Sequence, residues 1–123
     1  QSARSIAEYF MEQLRHEPQE HLMLAMFDNK SMLIGEKLLS TGTSNAALIS
    51  ARDIYRTALQ YQAAYVVVLH NHPSGNPEPS REDILVTRKI KACGELLDIL
   101  LMDHIIIGDN SYVSLRERGI FET

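Results

Sequence analysis

The sequence places two histidines two residues apart, directly after a β-branched run. His70 and His72 follow residues 65–69, Tyr-Val-Val-Val-Leu, which predict a central strand. Because side chains alternate across an extended strand, both imidazoles project to the same side. Zinc takes neutral imidazole nitrogens into a tetrahedral set at about 2.0–2.1 Å. The pair offers half of such a set, although His-x-His alone favours ordinary histidines at the end of a strand.

An acidic residue eleven positions further on completes a possible ligand set. Ser80-Arg81-Glu82-Asp83 has the S-x-x-D pattern of a helix start, a capping box with Asp in place of Glu. Asp83 begins a helical stripe that is otherwise apolar and consists of Val86, Ile90, Cys93 and Leu97. An inward carboxylate needs a partner or a metal, whereas closing the capping box is the simpler role for Asp83. Two histidines and one carboxylate leave a position for water, as in catalytic zinc sites.

A hydrolytic zinc site also needs a proton acceptor for water and a hydrogen-bond donor for the developing charge. Glu36 shares strand parity with Ile34 and Leu38, so the sequence predicts that it faces the apolar side and acts as the general base. A salt bridge at a strand edge is the alternative role for Glu36. Ser80 is the candidate donor, and helix capping is its alternative or additional role.

The surrounding sequence predicts an alternation of helices and strands. Helical spacing or N-cap patterns predict three helices, over about residues 3–15, 50–61 and 80–93. Apolar runs bounded by turn residues predict five strands, over about residues 22–27, 32–40, 65–69, 99–107 and 112–115. The expected fold class is α/β, with a central mixed sheet and flanking helices in one domain over residues 1–123. His104 lies in an apolar strand, as a core histidine or as a residue that orients a metal ligand.

Composition narrows the function classes. Lys and Arg number 12 against 16 Asp and Glu, and the net charge of −4 argues against broad phosphate-backbone binding by these residues. No apolar run approaches the roughly 20 residues of a membrane span, so no membrane association is expected. Cys93 is the single cysteine and lies on the apolar stripe, where a core role is expected. It cannot form an intramolecular disulfide, and a cytoplasmic location is therefore expected.

The motif as a whole resembles a known signature. His70-x-His72, seven residues, then Ser80-x-x-Asp83 is similar to the JAMM/MPN metallopeptidase motif, and residues 70–83 resemble its RadC branch, the bacterial "DNA repair protein RadC" family. The resemblance continues through Gly42-Thr43, Arg52 and residues 101–108, Leu-Met-Asp-His-Ile-Ile-Ile-Gly, and covers essentially the whole chain.

The resemblance implies a three-layer α/β/α fold of the cytidine-deaminase-like type. It also implies zinc at His70, His72 and Asp83 and a mechanism of the peptidase or isopeptidase type. A helix-hairpin-helix DNA-binding module would lie upstream, and a start at Gln1 without Met agrees with that expectation. In the RadC-like pattern the acidic residue often stands one position nearer the Gly, where this chain has Lys37, and a β-bulge would decide which side chain points inward.

Three functions follow as hypotheses. The first is zinc-dependent hydrolysis of an amide or isopeptide bond in an unknown protein or peptide. The second is nucleic-acid repair chemistry, with nucleic acid bound through the upstream module, although the sequence lacks both a C-x-x-C ligand pair for deamination and a second carboxylate cluster for a two-metal nuclease. The third is a non-catalytic interaction scaffold that has kept or lost its metal.

Overall fold

Helices and strands alternate along the computed structural model, which describes residues 2–42 and 50–121. The helices in these ranges are α1 (Ala3–Leu14), α2 (Ala51–Gln60) and α3 (Arg81–Leu97). The strands are β1 (Glu20–Phe27), β2 (Leu33–Gly42), β3 (Tyr65–Asn71), β4 (Leu100–Ile107) and β5 (Tyr112–Ser114). Thr43, part of the resemblance in sequence, lies outside the described residues.

The strands form one mixed sheet in the order β2-β1-β3-β4-β5. β1 pairs antiparallel with both β2 and β3, and β4 pairs antiparallel with β5. β3 and β4 are parallel and therefore need a crossover connection, which α3 provides. Because α3 returns from the end of β3, its N-terminus lies at the same sheet edge as the carboxyl end of that strand.

Helices cover both faces of the sheet. One face packs against α1 in a core cluster that includes Ile6, Phe10, Ala25, Phe27, Leu69 and Ile105. The other face packs against α2 and α3 in a second cluster that includes Leu22, Leu24, Ile54, Val68 and Ile90. β3 contributes to both clusters, which explains its continuous apolar sequence. The three-layer α/β/α architecture with a mixed sheet is therefore confirmed.

α3 extends four residues beyond its predicted end. The prediction ended the helix near Cys93 because Gly94 is a common helix terminator. In the structure Gly94 lies inside the helix, where a Cβ would come within 2.3 Å of the Tyr55 hydroxyl and 2.5 Å of the Ile99 carbonyl oxygen. This glycine permits a close approach of α2 and of the residue that precedes β4. The helix ends instead at Leu97, and its C-cap Asp98 is in the left-handed conformation, with φ of 58°.

Candidate metal centre

The two histidines of the motif lie at the carboxyl end of the central strand. His70 pairs with Leu22 of β1 and Ile106 of β4, so its side chain is only 1% exposed. His72 follows the strand, but its N–H still donates to the Ile107 carbonyl at 2.9 Å. The extended course continues, and both rings stay on one face with their Nε2 atoms 3.1 Å apart. The alternation of side chains predicted from sequence thus brings the rings together.

The first turn of α3 inserts a carboxylate between these rings. Asp83 is 1% exposed, with Oδ1 lying 3.3 Å from His70 Nε2 and Oδ2 lying 3.2 Å from His72 Nε2. The predicted capping box is also present, since the Ser80 hydroxyl accepts from the Asp83 N–H at 3.0 Å and Asp83 Oδ2 accepts from the Ser80 N–H at 2.7 Å. Capping and the inward position are therefore compatible, and the cap fixes the orientation of the carboxylate.

These three side chains fit a divalent metal ion. Each offers one ligand atom, and the three atoms lie within 4.8 Å of one another. Burial opposes ionisation of Asp83, but hydrogen bonds to His70 and His72 outweigh burial and hold the pKa of its carboxyl far below the usual value. The hydrogen bond to Asp83 raises the pKa of His72. Two imidazole nitrogens and one carboxylate oxygen form a donor set that zinc accepts, and three protein ligands leave the fourth tetrahedral position for water.

The loop between β3 and α3 fixes the orientation of the His72 ring. His72 Nδ1 lies 3.0 Å from the Asn76 carbonyl oxygen. A carbonyl oxygen only accepts hydrogen bonds, so Nδ1 carries a proton, and in the neutral form of the ring the Nε2 lone pair faces Asp83. The loop turns at Gly75, whose φ of 90° is accessible to glycine at little cost.

Glu20 joins the cluster from the first position of β1. Its side chain is 12% exposed, and Oε1 lies 3.8 Å from His70 Nε2. Burial raises the pKa of Glu20, and the electrostatic attraction of His70 and His72 offsets only part of this rise. Glu20 is not among the residues predicted from sequence, because the predicted strand begins at Leu22 whereas β1 begins at Glu20. Strand parity with Leu22, which lies opposite His70, was the signal that would have found it.

Asn71 anchors the segment that carries Glu20. Its carboxamide oxygen accepts from the His21 N–H at 2.7 Å, and its amide group donates to the carbonyl oxygens of Gln19 at 3.0 Å and Glu17 at 3.4 Å. Asn71 is 1% exposed and lies between the two histidines in sequence. From sequence alone Asn71 could shape the site but is assigned no chemistry, because long-range side-chain contacts leave no periodic pattern.

The structure does not bring Glu36 to this cluster. Glu36 pairs with Ala25, whose side chain packs on the α1 face, whereas His70 lies opposite Leu22 on the α2/α3 face. A hydrogen bond to Glu36 raises the pKa of Tyr9, a residue of α1. The apolar neighbours that suggested an inward side chain are themselves exposed, Ile34 at 39% and Leu38 at 47%. β2 is an edge strand, and α1 leaves this part of its face open to solvent.

Comparison with known proteins agrees with this geometry. Residues 1–120 match the family model of the RadC-like JAB domain. The chain belongs to this family. A UPF0758 protein of Clostridium kluyveri is 44% identical to the RadC-like domain over 119 residues, which are 97% of this chain and 52% of the relative. A UPF0758 protein of Shouchella clausii is 43% identical over 122 residues, 99% of this chain and 53% of the relative. The RadC-like domain thus spans about half the length of the curated relatives it matches.

Two further groups of this RadC-like domain border the metal centre. Ser80 is exposed, and its hydroxyl uses a lone pair to accept from the Asp83 N–H in the cap of α3, so its O–H remains a potential donor. His104 is fully buried behind His70, with its Nε2 2.7 Å from His70 Nδ1. Burial lowers the pKa of His104 well below the usual histidine value. None of the helices in the described ranges is long and apolar enough to cross a membrane.

Proposed function

We propose that this RadC-like domain is a zinc-dependent hydrolase of the JAMM/MPN type that cleaves an amide or isopeptide bond. The observation that carries the proposal is the convergence of His70, His72 and Asp83 at one sheet edge, with Glu20 beside them. Zinc held by these three residues would polarise the scissile carbonyl and lower the pKa of water from 15.7 towards about 7. The buried carboxylate and the two oriented imidazoles support this reading over ordinary strand-end histidines.

Glu20 is our candidate for the general base. Its Oε1 lies 3.8 Å from His70 Nε2, beside the candidate ligands. From this position Glu20 would take a proton from water and then pass it to the leaving amine. Glu36 was predicted for this role from sequence, but it lies on the opposite face of the sheet. Ser80 would donate its O–H to the charge that develops on the carbonyl oxygen.

The substrate class follows from the chemistry of the site. Among the described residues, one group of three metal-binding side chains is present, which supports single-metal hydrolysis over a two-metal nuclease. The net charge of −4 favours a protein or peptide substrate for this part of the molecule. A nucleic-acid partner would bind through a helix-hairpin-helix module of the kind that the family resemblance implies upstream of such a domain. The single cysteine suits a reducing cytoplasm.

Metal content is the first test of this proposal. We expect one zinc per chain in the wild-type domain and strong loss of zinc in His70→Ala and Asp83→Ala, because each change removes one of three protein ligands. Zinc would be quantified by elemental analysis after metal loading near neutral pH, with circular dichroism to show that the variants are folded. No uptake by the wild type in excess zinc would overturn the metal site.

Cleavage by the zinc-loaded domain is the second test. The probes are a fluorogenic peptide, an isopeptide-linked peptide and single-stranded DNA. We expect cleavage of an amide or isopeptide probe, with Glu20→Gln lowering kcat by about 10²–10⁴-fold while zinc stays bound. Glu36→Gln is the matched comparison and should cleave within about twofold of wild type. The reverse ranking of the two glutamates would return the base to Glu36, and zinc binding without cleavage of any probe would favour the scaffold.

A further inference from the structure

A chain of buried hydrogen bonds leads away from the metal centre. His70 Nδ1 lies 2.7 Å from His104 Nε2, and His104 Nδ1 lies 2.5 Å from the Thr87 hydroxyl. The Thr87 hydroxyl in turn lies 2.6 Å from the Asp83 carbonyl oxygen. His70, His104 and Thr87 are each 1% exposed or less. Bulk water therefore does not reach these groups, and the direction of each bond follows from the groups themselves.

The Asp83 carbonyl sets the direction of the chain. A carbonyl oxygen has no proton to give, so the hydrogen in its 2.6 Å contact comes from the Thr87 hydroxyl. That hydroxyl carries a single proton, and towards His104 it can only accept. His104 Nδ1 must therefore carry a proton and donate it to Thr87 Oγ1.

The same reasoning continues through His104 to His70. None of the carboxylates in the described part of the chain forms a hydrogen bond or ion pair with the His104 ring. An imidazolium buried between another imidazole and a hydroxyl would be costly, so His104 is neutral. With its proton on Nδ1, a neutral ring offers a lone pair at Nε2. His70 Nδ1 must then donate to that lone pair, and His70 Nε2 is left as a lone pair facing Asp83 and His72.

We infer that Thr87 and His104 are positioning residues that hold His70 in the Nδ1–H tautomer and so prepare Nε2 to bind the metal. The inference rests on the metal site of the proposed function. Metal-binding histidines commonly donate their second N–H to a carboxylate, a backbone carbonyl or water. Here the acceptor for His70 is the His104 imidazole. Its Nε2 is an acceptor because its Nδ1–H donates to the Thr87 hydroxyl, which in turn donates to the Asp83 carbonyl.

The chain of hydrogen bonds from Thr87 through His104 to His70, which we call the relay, opposes a local preference of His70 for the Nε2–H tautomer. Asp83 Oδ1 lies 3.3 Å from His70 Nε2 and would attract a proton to that nitrogen in the absence of metal. A proton on Nε2 blocks the lone pair that a metal needs. α3 therefore contributes twice, because the Asp83 side chain is a candidate ligand while its carbonyl, through Thr87 one turn later, keeps the proton on the far side of His70.

Replacing the Thr87 hydroxyl tests this inference. In Thr87→Val, His104 Nδ1–H loses its acceptor, so the proton moves to Nε2 and His70 must accept at Nδ1. We expect zinc affinity, measured by competition with a chelator, to fall about 10–100-fold. Thr87→Ser keeps the hydroxyl and should stay within about twofold of wild type. Thr57→Val is the matched control, because Thr57 is 6% exposed and makes the same bond to a helix carbonyl, that of Asp53, in α2.

Nuclear magnetic resonance of the zinc-free domain gives an independent readout. Long-range ¹H–¹⁵N correlations identify which ring nitrogen carries the proton. We expect the Nδ1–H form of His70 in wild type and Thr87→Ser, and a shift towards Nε2–H in Thr87→Val. An Nε2–H form of His70 in wild type would overturn the inference, and this measurement remains decisive even if Thr87→Val fails to fold.

Two outcomes separate this inference from the proposed function. Unchanged zinc affinity and an unchanged tautomer in folded Thr87→Val would overturn the relay and leave the metal site standing. The Nδ1–H tautomer in a wild-type domain that takes up no zinc would support the relay but overturn the metal-dependent function.

Discussion

The Asn71 carboxamide holds the start of β1 against the end of β3 and thereby sets the place of Glu20. It makes three hydrogen bonds with backbone groups of residues 17–21. Two of these bonds use the amide as a donor, and the third uses the oxygen as an acceptor. Asp has the same shape but lacks both donors when ionised, so it would turn a buried negative charge towards two carbonyl oxygens.

We therefore expect Asn71→Asp to lower the free energy of unfolding by about 1–3 kcal/mol. The change should also reduce turnover more than zinc affinity, because it displaces Glu20 while the histidines stay on β3. Urea unfolding followed by circular dichroism and zinc titration would measure the two effects. Asn76→Asp is the control, since the exposed Asn76 uses its side-chain oxygen only to accept from the Glu78 N–H. Equal stability losses in both variants would contradict the anchoring role of Asn71.

At the scale of the elements, the sequence predicts best where burial is complete. The apolar run of β3 and the cap of α3 place His70, His72 and Asp83 together, because strand parity and capping are local rules. The same rules mislead at β2, where alternation suggested an inward Glu36. This edge strand has register irregularities opposite Leu22/Met23 and Met26/Phe27, and its alternating apolar residues are partly exposed. Which face of β2 is buried depends on the elements that pack against it, and local periodicity does not encode that packing.

The length of α3 leads to a prediction at the same scale. In an exposed helix, Gly→Ala stabilises by roughly 0.5–1 kcal/mol, because alanine loses less backbone freedom on folding. At Gly94 the added methyl group would collide with the Tyr55 hydroxyl and the Ile99 carbonyl. We expect Gly94→Ala to destabilise the domain by about 1–3 kcal/mol, the usual effect of overpacking. Thermal unfolding measures the sign, and a stabilised variant would show that α2 and β4 can move away from α3 at little cost.

At the scale of the whole molecule, the candidate metal centre lies at one edge of a sheet whose two faces have separate cores. Both clusters contain large, fully buried side chains such as Phe10, Phe27, Ile54 and Ile90. We expect a chain of 123 residues with such cores to fold through apolar burial, unlike zinc fingers, which need metal to fold. The centre is therefore supported by the fold, and metal binding should add stability to a structure that already exists.

Removal of metal should test this relationship directly. We expect the zinc-free domain to unfold cooperatively and to keep its secondary structure below the transition. Added zinc should raise Tm in a concentration-dependent way, by roughly 10 °C at free zinc near 100 times Kd, from about 2.7 kcal/mol of binding free energy and about 4 °C per kcal/mol. Scanning calorimetry with and without chelator measures the shift, and His70→Ala should show almost none. A zinc-free domain without secondary structure would mean that the metal drives folding, and it would move the centre from a catalytic to a structural role.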